Sequence, residues 1–198
     1  MESYIKSGDI VWDINFDYMA HQFLNGTLLY LGDKAYRVCE IEFYLNKKGH
    51  EDLYTQSCSD QQLYGYWYFH KLSTGTYRGG TFKGLDLTLG SKDSYCGILI
   101  RSIMDMKTEV FTEGPCCSVN TFLYETKCDE SVRDFVIDPP MSCLANKRNF
   151  IIKDAKLDQQ VVKKGPRIGL SANINCPQYR QLYYRYAIFS DKLKKHKM

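Results

Sequence analysis

The run from Tyr36 to Tyr44 constrains the fold of this chain most, because it reads as a strand with one apolar and one acidic face. Successive side chains in a strand point to opposite faces. One face is predicted to lie in the core and carries Cys39, Ile41 and Phe43. The other is predicted to carry Val38, Glu40, Glu42 and Tyr44. Two interpretations stay open: this second face is solvated and its glutamates carry no chemistry, or it forms the floor of a pocket beneath the polar loop that follows.

The rest of the chain predicts short strands and few helices. Helical spacing predicts a helix from Asp13 to Leu24 and another over 118–125. Strands are predicted over 27–31, 36–44, 67–69, 85–89, 95–103, 166–170 and 183–189, the first two forming a hairpin around Gly32 and Asp33. This pattern favours an α+β domain built around a curved, mostly antiparallel and partly closed sheet.

At 198 residues and 44 % hydrophobic, the chain is long enough for one domain with its own core. We predict a single domain over 1–198, with a loosely held arm over 1–10 and a basic tail over 191–198. The net charge of +3 is accounted for by this tail. A basic tail either attracts polyanions or is simply solvated.

Eight cysteines occur without a C-x-x-C pair or metal-ligand spacing, so we expect neither a metal nor a cofactor. Cys39 and Cys96 lie in apolar strands and are predicted to be core residues. No secretory signal and no apolar run of membrane-spanning length is present, which predicts no membrane partner. These features favour reduced thiols in an intracellular protein, nuclear or cytoplasmic.

A glycine-rich run over 74–84 follows the third predicted strand. Glycines let backbone N–H groups approach a phosphate, and Arg78 and Lys83 flank this run. A hairpin corner that needs glycine is the alternative interpretation. His70, just before the run, either reaches the pocket or packs at the end of its strand.

Several blocks, in the same order over about residues 20–190, resemble the alkyladenine (3-methyladenine) DNA glycosylase family. They are Phe23-Leu24-Asn25-Gly26, Glu40-Ile41-Glu42-Phe43-Tyr44, Ile98-Leu99-Ile100-Arg101-Ser102-Ile103, Gly114-Pro115, Pro166-Arg167-Ile168-Gly169-Leu170 and the strand from Tyr183 to Ser190. The second block corresponds to E-T-E-A-Y in the family. The order and spacing of the blocks are the specific part of this resemblance.

The resemblance implies a single α+β domain that binds duplex DNA, flips a damaged purine into a pocket and hydrolyses its N-glycosidic bond. It implies that Glu42 activates water, that Arg101 helps to hold this water and that Tyr44 stacks on the flipped base. The chain would then be a divergent, monofunctional and monomeric glycosylase of base excision repair, acting on alkylated or deaminated purines.

The residue types suit this chemistry. Glycosidic bonds break through a positively charged, oxocarbenium-like sugar, which a nearby carboxylate stabilises. A general base contributes about 10²–10⁴-fold in rate. Arg101, one strand away, is expected to keep the carboxylate ionised. Alternatively, Arg101 forms only a structural ion pair with Glu40 or Glu42.

The chain also departs from the family pattern. Gln56 stands where the family has a base-contacting histidine, and His50 is a nearby substitute. The position of the wedge that fills the gap in the duplex falls on Lys83, so Phe82 or Tyr77 would serve instead. The resemblance thus implies a base-binding set of Tyr44, Gln56, His50, Tyr77 and Asp86, and DNA contacts from Arg78, Phe82 and Lys83.

Two other functions stay open. One is a non-catalytic nucleic-acid-binding protein on the same scaffold, which would use aromatic and basic side chains for contact. The other is a hydrolase of nucleosides or other ribosyl compounds that uses Glu42 and Arg101.

Overall fold

The computed structural model describes residues 1, 5, 15–128 and 131–195. Within them, eleven strands join in one antiparallel sheet. The strands are β1 Thr27–Leu31, β2 Lys34–Lys47, β3 His50–Glu51, β4 Tyr64–Phe69, β5 Leu85–Leu89, β6 Ser94–Asp105, β7 Phe111–Glu113, β8 Met141–Ser142, β9 Phe150–Asp154, β10 Lys163–Gly165 and β11 Arg185–Ala187. The helices are α1 Phe16–Gly26, α2 Pro115–Glu125, α3 Val132–Phe135 and α4 Pro177–Arg180, with short 3₁₀ turns at Ser59–Gln62 and Gly80–Phe82.

The sheet curls into a nearly closed barrel. Its main path runs β10-β11-β2-β6-β5-β4-β8, and β1 joins β2 to β9. Cys143, just after β8, links the two ends of the curl: its N–H donates to Gly65 at 2.9 Å, and its carbonyl accepts from the N–H of Ile152 in β9 at 2.8 Å. This architecture confirms the predicted α+β domain with a curved, partly closed antiparallel sheet.

The core lies inside the curl, where α1 packs on β2 and α2 packs on β6. Asn15 begins α1 by accepting a hydrogen bond from the backbone of Tyr18, as helix N-caps commonly do. Cys39 and Cys96 have no exposed surface, which confirms both as core residues. Burial raises the pKa of each thiol to about 12, so neither is a ready nucleophile.

The alternation along β2 is interrupted once. The register between β2 and β6 shifts between Val38 and Glu40 and again between Glu40 and Ile41. Such an irregularity changes the phase of the side chains by one residue. The prediction that Val38 shares a face with Glu40 is therefore wrong, because Val38 packs in the core together with Cys39.

Most predicted elements are present with changed ends, and one is not. The first helix spans Phe16–Gly26, whereas 13–24 was predicted and residues 13 and 14 lie outside the described part, and the hairpin pairs Leu29 with Tyr36 as expected. The predicted strand over 166–170 is wrong: this segment is an irregular loop with Gly169 at φ 73°. Its backbone turns away from the sheet because the N–H of Ile168 bonds a side chain instead of a strand.

The two ends of the described chain pack onto the domain. Met1 and Ile5 are buried, and the amino terminus lies 2.6 Å from Asp154. The rest of the predicted arm, 2–4 and 6–10, lies outside the described residues. In the predicted tail, Leu193 is buried and the backbone N–H groups of 194 and 195 bond the Glu113 carboxylate, while 196–198 lie outside the described residues. No helix of the described part is both long enough and apolar enough to cross a membrane.

Candidate functional site

A row of side chains crosses five strands on the face of the sheet that is turned away from the core. Residues in direct register on neighbouring antiparallel strands share a face. The row, from β11 to β4, consists of Arg185, Glu42, Leu99, Asp86 and Tyr68. Two of its five members are acids, and both are buried. The segments 48–63 and 166–184 supply further polar contacts to this face.

Glu42 lies at the centre of the first polar cluster. Its carboxylate has no exposed surface. One oxygen lies 3.1 Å from the Arg101 guanidinium and accepts the Ile168 N–H at 2.8 Å. The other oxygen accepts the Tyr44 hydroxyl at 2.8 Å. The structure thus brings together the three residues, Glu42, Arg101 and Tyr44, that the resemblance predicted as a unit.

The electrostatics of Glu42 differ from the sequence-based expectation. Burial raises the pKa of the Glu42 carboxyl, and this effect outweighs the opposing influence of Arg101. The sequence predicts that the arginine dominates, because a sequence shows a nearby charge but not the loss of water. A carboxylate whose pKa is raised toward neutral is a better general base at neutral pH.

Glu40, one pleat along the same strand, completes an ionic network. Its carboxylate lies 3.2 Å from Nε of Arg101 and 2.9 Å from Nε of Arg185, and it accepts the Ser102 hydroxyl at 2.7 Å. Arg101 therefore bridges Glu40 and Glu42. This geometry serves both interpretations of Arg101, the holder of a water molecule and the structural ion pair.

Arg167 fixes the loop above this network. Its guanidinium pairs with Asp52 at 2.7 Å, both side chains having no exposed surface, and donates to the carbonyls of Phe43 and Tyr179. It also lies 4.6 Å from the centre of the Tyr44 ring. One face of that ring is therefore covered, and a base that stacks on Tyr44 must use the other face.

A second polar cluster surrounds Asp86. Nε2 of His70 lies 2.9 Å from one Asp86 oxygen, and the Gln61 amide donates to the other at 3.2 Å. Beside it, the Tyr68 hydroxyl donates to Gln56 at 2.6 Å, and Gln56 donates to the carbonyl of residue 71. Of the predicted base-binding residues, Asp86 and Gln56 thus lie on the same face as Glu42.

Two other predicted base-binding residues make contacts elsewhere. Both ring nitrogens of His50 are used within the protein, at 2.9 Å from the Leu45 carbonyl and 2.8 Å from the Tyr184 hydroxyl. His50 lines a cleft of about 630 Å³ beside α1 and β11. Tyr77 packs under the Lys71 ammonium at 5.3 Å and borders the glycine-rich loop. The structure does not bring either residue to the Glu42 cluster.

The three predicted DNA contacts of the glycine-rich loop differ in how far their side chains are exposed. Phe82 is 71 % exposed at the end of the Gly80–Phe82 turn. Arg78 donates to the carbonyl of residue 71 and lines a cleft of about 500 Å³. Lys83 is only 5 % exposed and donates to Asn120 in α2 at 2.8 Å. The Lys83 ammonium therefore points inward and anchors the loop to α2, while its predicted contact with DNA stays a prediction.

Sequence reasoning missed three members of these clusters: Arg185, Ser102 and Gln61. All three are placed by strand register or by the 3₁₀ turn, and one sequence does not reveal register. Arg167 and Ile168 lie in a block that the resemblance had marked, and Ser102 and Arg185 lie in two others, so a signal existed for all of these but not for Gln61. For His70 the sequence left two interpretations open, and the structure places its ring against a buried carboxylate.

No family model matches this chain. The chain is 40 % identical over 205 residues to a protein of Acanthamoeba polyphaga mimivirus whose name is "Uncharacterized protein L759". The match covers 93 % of this chain and 92 % of the viral protein. Such identity over nearly the whole of both chains shows that this protein belongs to the same family as the mimivirus protein.

Proposed function

We propose that this protein is a divergent DNA glycosylase, which hydrolyses the N-glycosidic bond of alkylated or deaminated purines. One observation carries the proposal: Glu42, Arg101 and Tyr44 converge within 2.8–3.1 Å on the outer face of the curved sheet. These are the residue types, at the matching positions, that the resemblance assigns to water activation and base stacking.

In this mechanism Glu42 takes a proton from the attacking water. The same carboxylate stabilises the positive charge that develops on the sugar as the bond to the purine breaks. Arg101 lies 3.1 Å from it and orients the carboxylate. The raised pKa of Glu42 suits a group that accepts a proton near neutral pH.

Access to the carboxylate requires a movement of Tyr44. Glu42 has no exposed surface, and the Tyr44 hydroxyl occupies one of its oxygens. The Tyr44 residue itself is only half-buried. A purine that binds against the free face of this ring would shift the hydroxyl and open that carboxylate oxygen to water.

Contact with DNA is supported by the glycine-rich loop. Phe82 offers an exposed apolar ring beside a bend with Gly80 at φ 56°. Apolar side chains that enter a base stack fill the gap left by a flipped nucleotide. Arg78, which lines the adjacent cleft, would contact a phosphate in this proposal.

The test is release of damaged purines from a panel of single- and double-stranded oligonucleotides. We expect the Glu42→Gln variant to lose at least about 10²-fold in rate, because the amide cannot accept the proton from water. Glu125→Gln, the same exchange at a surface ion pair with Lys34, is the matched control and should keep the wild-type rate. Undiminished release by a folded Glu42→Gln protein would contradict the proposal.

A second function is favoured by one specific observation. Both oxygens of Glu42 are already bonded within the protein, which is the expected state of a purely structural carboxylate. A nucleic-acid-binding protein without catalysis would show salt-dependent affinity and no base release from any lesion by the wild type. The same oligonucleotide panel therefore separates the two functions.

A further inference from the structure

The cleft of about 500 Å³ at the glycine-rich loop lies between that loop and the short helix α3. One wall consists of residues 74–79, and the other is formed by Ser131, Val132 and Arg133. Its volume is in the range of clefts that bind small ligands or parts of larger ones. Of its lining residues, only Arg78 and Tyr77 have been given a role so far.

Both walls are fixed to the end of strand β4. The two arms of the loop are bridged at Lys71 and Tyr77, and the N–H of Arg78 donates to a carbonyl of the opposite arm at 2.8 Å. On the other side, Phe135 of α3 has no exposed surface and packs edge-on against Phe69, the last residue of β4, with ring centres 5.4 Å apart. The cleft is therefore a built part of the domain.

Two guanidinium groups line this cleft without a counter-charge. Nε of Arg78 donates to the carbonyl of residue 71, and its two terminal nitrogens have no partner among the described residues. Arg133 is exposed and makes neither a hydrogen bond nor an ion pair within the described part of the chain. No described residue of the lining is acidic. Two like charges on one cavity repel each other, and an anion between them relieves this repulsion.

The other polar side chains of the lining add hydrogen-bond donors. The hydroxyl oxygen of Thr76 accepts from Thr74 at 3.3 Å, and that of Ser131 accepts the N–H of Asp134 at 3.2 Å. Each of these two hydroxyl groups therefore keeps its own proton for a further acceptor. Guanidinium forks together with hydroxyl donors suit the oxygens of a phosphate group.

The larger cleft of about 630 Å³ beside α1 differs in its charge. Lys164 lines that cleft, but its ammonium lies 2.7 Å from Asp17, which lines the same cleft. Part of its positive charge is thus neutralised within the protein. The cleft at the glycine-rich loop is the better site for an anion.

We propose that this cleft binds a phosphate of a nucleic acid strand through both Arg78 and Arg133. The inference deepens the DNA contact proposed above and rests on it for the source of the phosphate, but it does not depend on catalysis. A strand is favoured over a free nucleotide because Phe82, three residues beyond Gly79, offers a ring that is 71 % exposed to a neighbouring base. Arg133 is the new contact.

The sharpest test places a carboxylate in the cleft. Position 79 lines the cleft with φ −107°, and a Cβ there would meet nothing within 4 Å. Gly79→Glu adds a negative charge, and Gly79→Gln adds nearly the same volume without charge. We expect the Glu variant to bind a labelled, undamaged DNA duplex at least about 10-fold more weakly than the Gln variant at low salt. Added salt should reduce this ratio, because it screens the charge.

Arg133→Gln tests the second arginine directly. It should lower the slope of log affinity against log salt by about 1, because one phosphate contact is lost. Lys92→Gln is the matched control. It removes one positive charge from the turn between β5 and β6, at the opposite end of β5 from the glycine-rich loop, and should keep the wild-type slope.

Other outcomes overturn the inference. Equal binding by the two Gly79 variants, or equal slopes in Arg133→Gln and Lys92→Gln, would show that no phosphate enters the cleft. Binding of a nucleoside monophosphate that depends on Arg133, without binding of the duplex, would assign the cleft to free nucleotides instead.

The same variants separate this inference from the proposed catalysis. Loss of duplex binding in Gly79→Glu, together with no base release by wild type, would refute the glycosylase and leave the cleft standing. Base release by wild type, together with unchanged duplex binding in Gly79→Glu and Arg133→Gln, would refute the cleft alone. Thermal melting of each variant shows whether a loss comes from unfolding.

Discussion

At the scale of single residues, the candidate site is a balanced set of buried charges. Glu40, Glu42 and Asp52 are paired with Arg101, Arg185 and Arg167 by distances of 2.7–3.2 Å. Buried ion pairs give little net stability, because the loss of hydration offsets their attraction. Three such pairs on the face of the sheet that is turned away from the core are more easily explained by a task that needs charge. The raised pKa of Glu42 reflects this loss of hydration.

The loss of hydration at Glu42 predicts that the stability of the folded protein depends on pH. The pKa of Glu42 is higher in the folded protein than its ordinary value of 4.5, so the folded state binds this proton more tightly. The stabilising contribution is then complete below pH 4.5 and is lost as pH rises through the folded pKa. Glu42→Gln cannot ionise. We therefore expect its melting temperature, relative to wild type, to increase as pH is raised from about 4 to about 8.

Melting curves of both proteins over that range provide the measurement. Ionisations that the two proteins share, such as that of Asp17, cancel in the difference. A difference in melting temperature that does not change with pH would show that Glu42 titrates alike in the folded and unfolded chain.

At the scale of elements, the glycines of the sheet and its loops differ sharply in how much space each leaves for a side chain. A Cβ at position 90 would lie 1.8 Å from the backbone oxygen of residue 61, which cannot move easily. A Cβ at position 97 would meet only the Asp86 side chain, at 2.6 Å. A Cβ at position 79 would meet nothing within 4 Å, and its φ of −107° suits any residue.

We therefore expect a graded loss of stability in three alanine variants, measured by urea unfolding. Gly97→Ala should cost about 1–3 kcal/mol, as overpacked sites usually do. Gly90→Ala should cost more than that, and Gly79→Ala should stay within about 0.5 kcal/mol of wild type. If Gly97→Ala proves as harmless as Gly79→Ala, then Asp86 does not depend on the space over β6.

The elements also show where sequence reasoning succeeds. Strands such as 85–89 alternate over their whole length, so their existence followed from the period alone. The phase error at Val38 arose from a register irregularity, which depends on the partner strand β6. The loop at 166–170 was predicted as a strand because it contains apolar residues. Its backbone N–H at Ile168 instead donates to the Glu42 carboxylate. The local sequence pattern therefore predicts most helices and strands. The segments where it fails are those shaped by contacts with residues distant in the sequence.

At the scale of the whole molecule, the net positive charge is small and the proposed DNA contacts are few. The net charge is only +3, and the ammonium of Lys83 donates to Asn120 inside the protein. The site itself could be predicted as a trio on one strand pair, Glu42, Arg101 and Tyr44. Its second half could not, because His70 and Asp86 meet only when β4 and β5 pair.

The glycine-rich loop gives a prediction about binding to duplex DNA. Arg78→Gln should reduce the slope of log affinity against log salt by about 1, because one phosphate contact is lost. Phe82→Ala should weaken binding by about 1–3 kcal/mol and leave that slope unchanged, because stacking releases no counterions. Fluorescence anisotropy at several salt concentrations measures both quantities. An unchanged slope in Arg78→Gln would remove this arginine from the interface.

The strand β10 at the end of the sheet has a consequence for solubility. It pairs with β11 on one side, and no strand of the described residues borders its other side. An open edge of this kind invites a strand from another molecule, which leads to aggregation. Two of its three residues are Lys163 and Lys164. An incoming strand would have to dehydrate both ammonium groups, which disfavours edge-to-edge pairing along this side of β10.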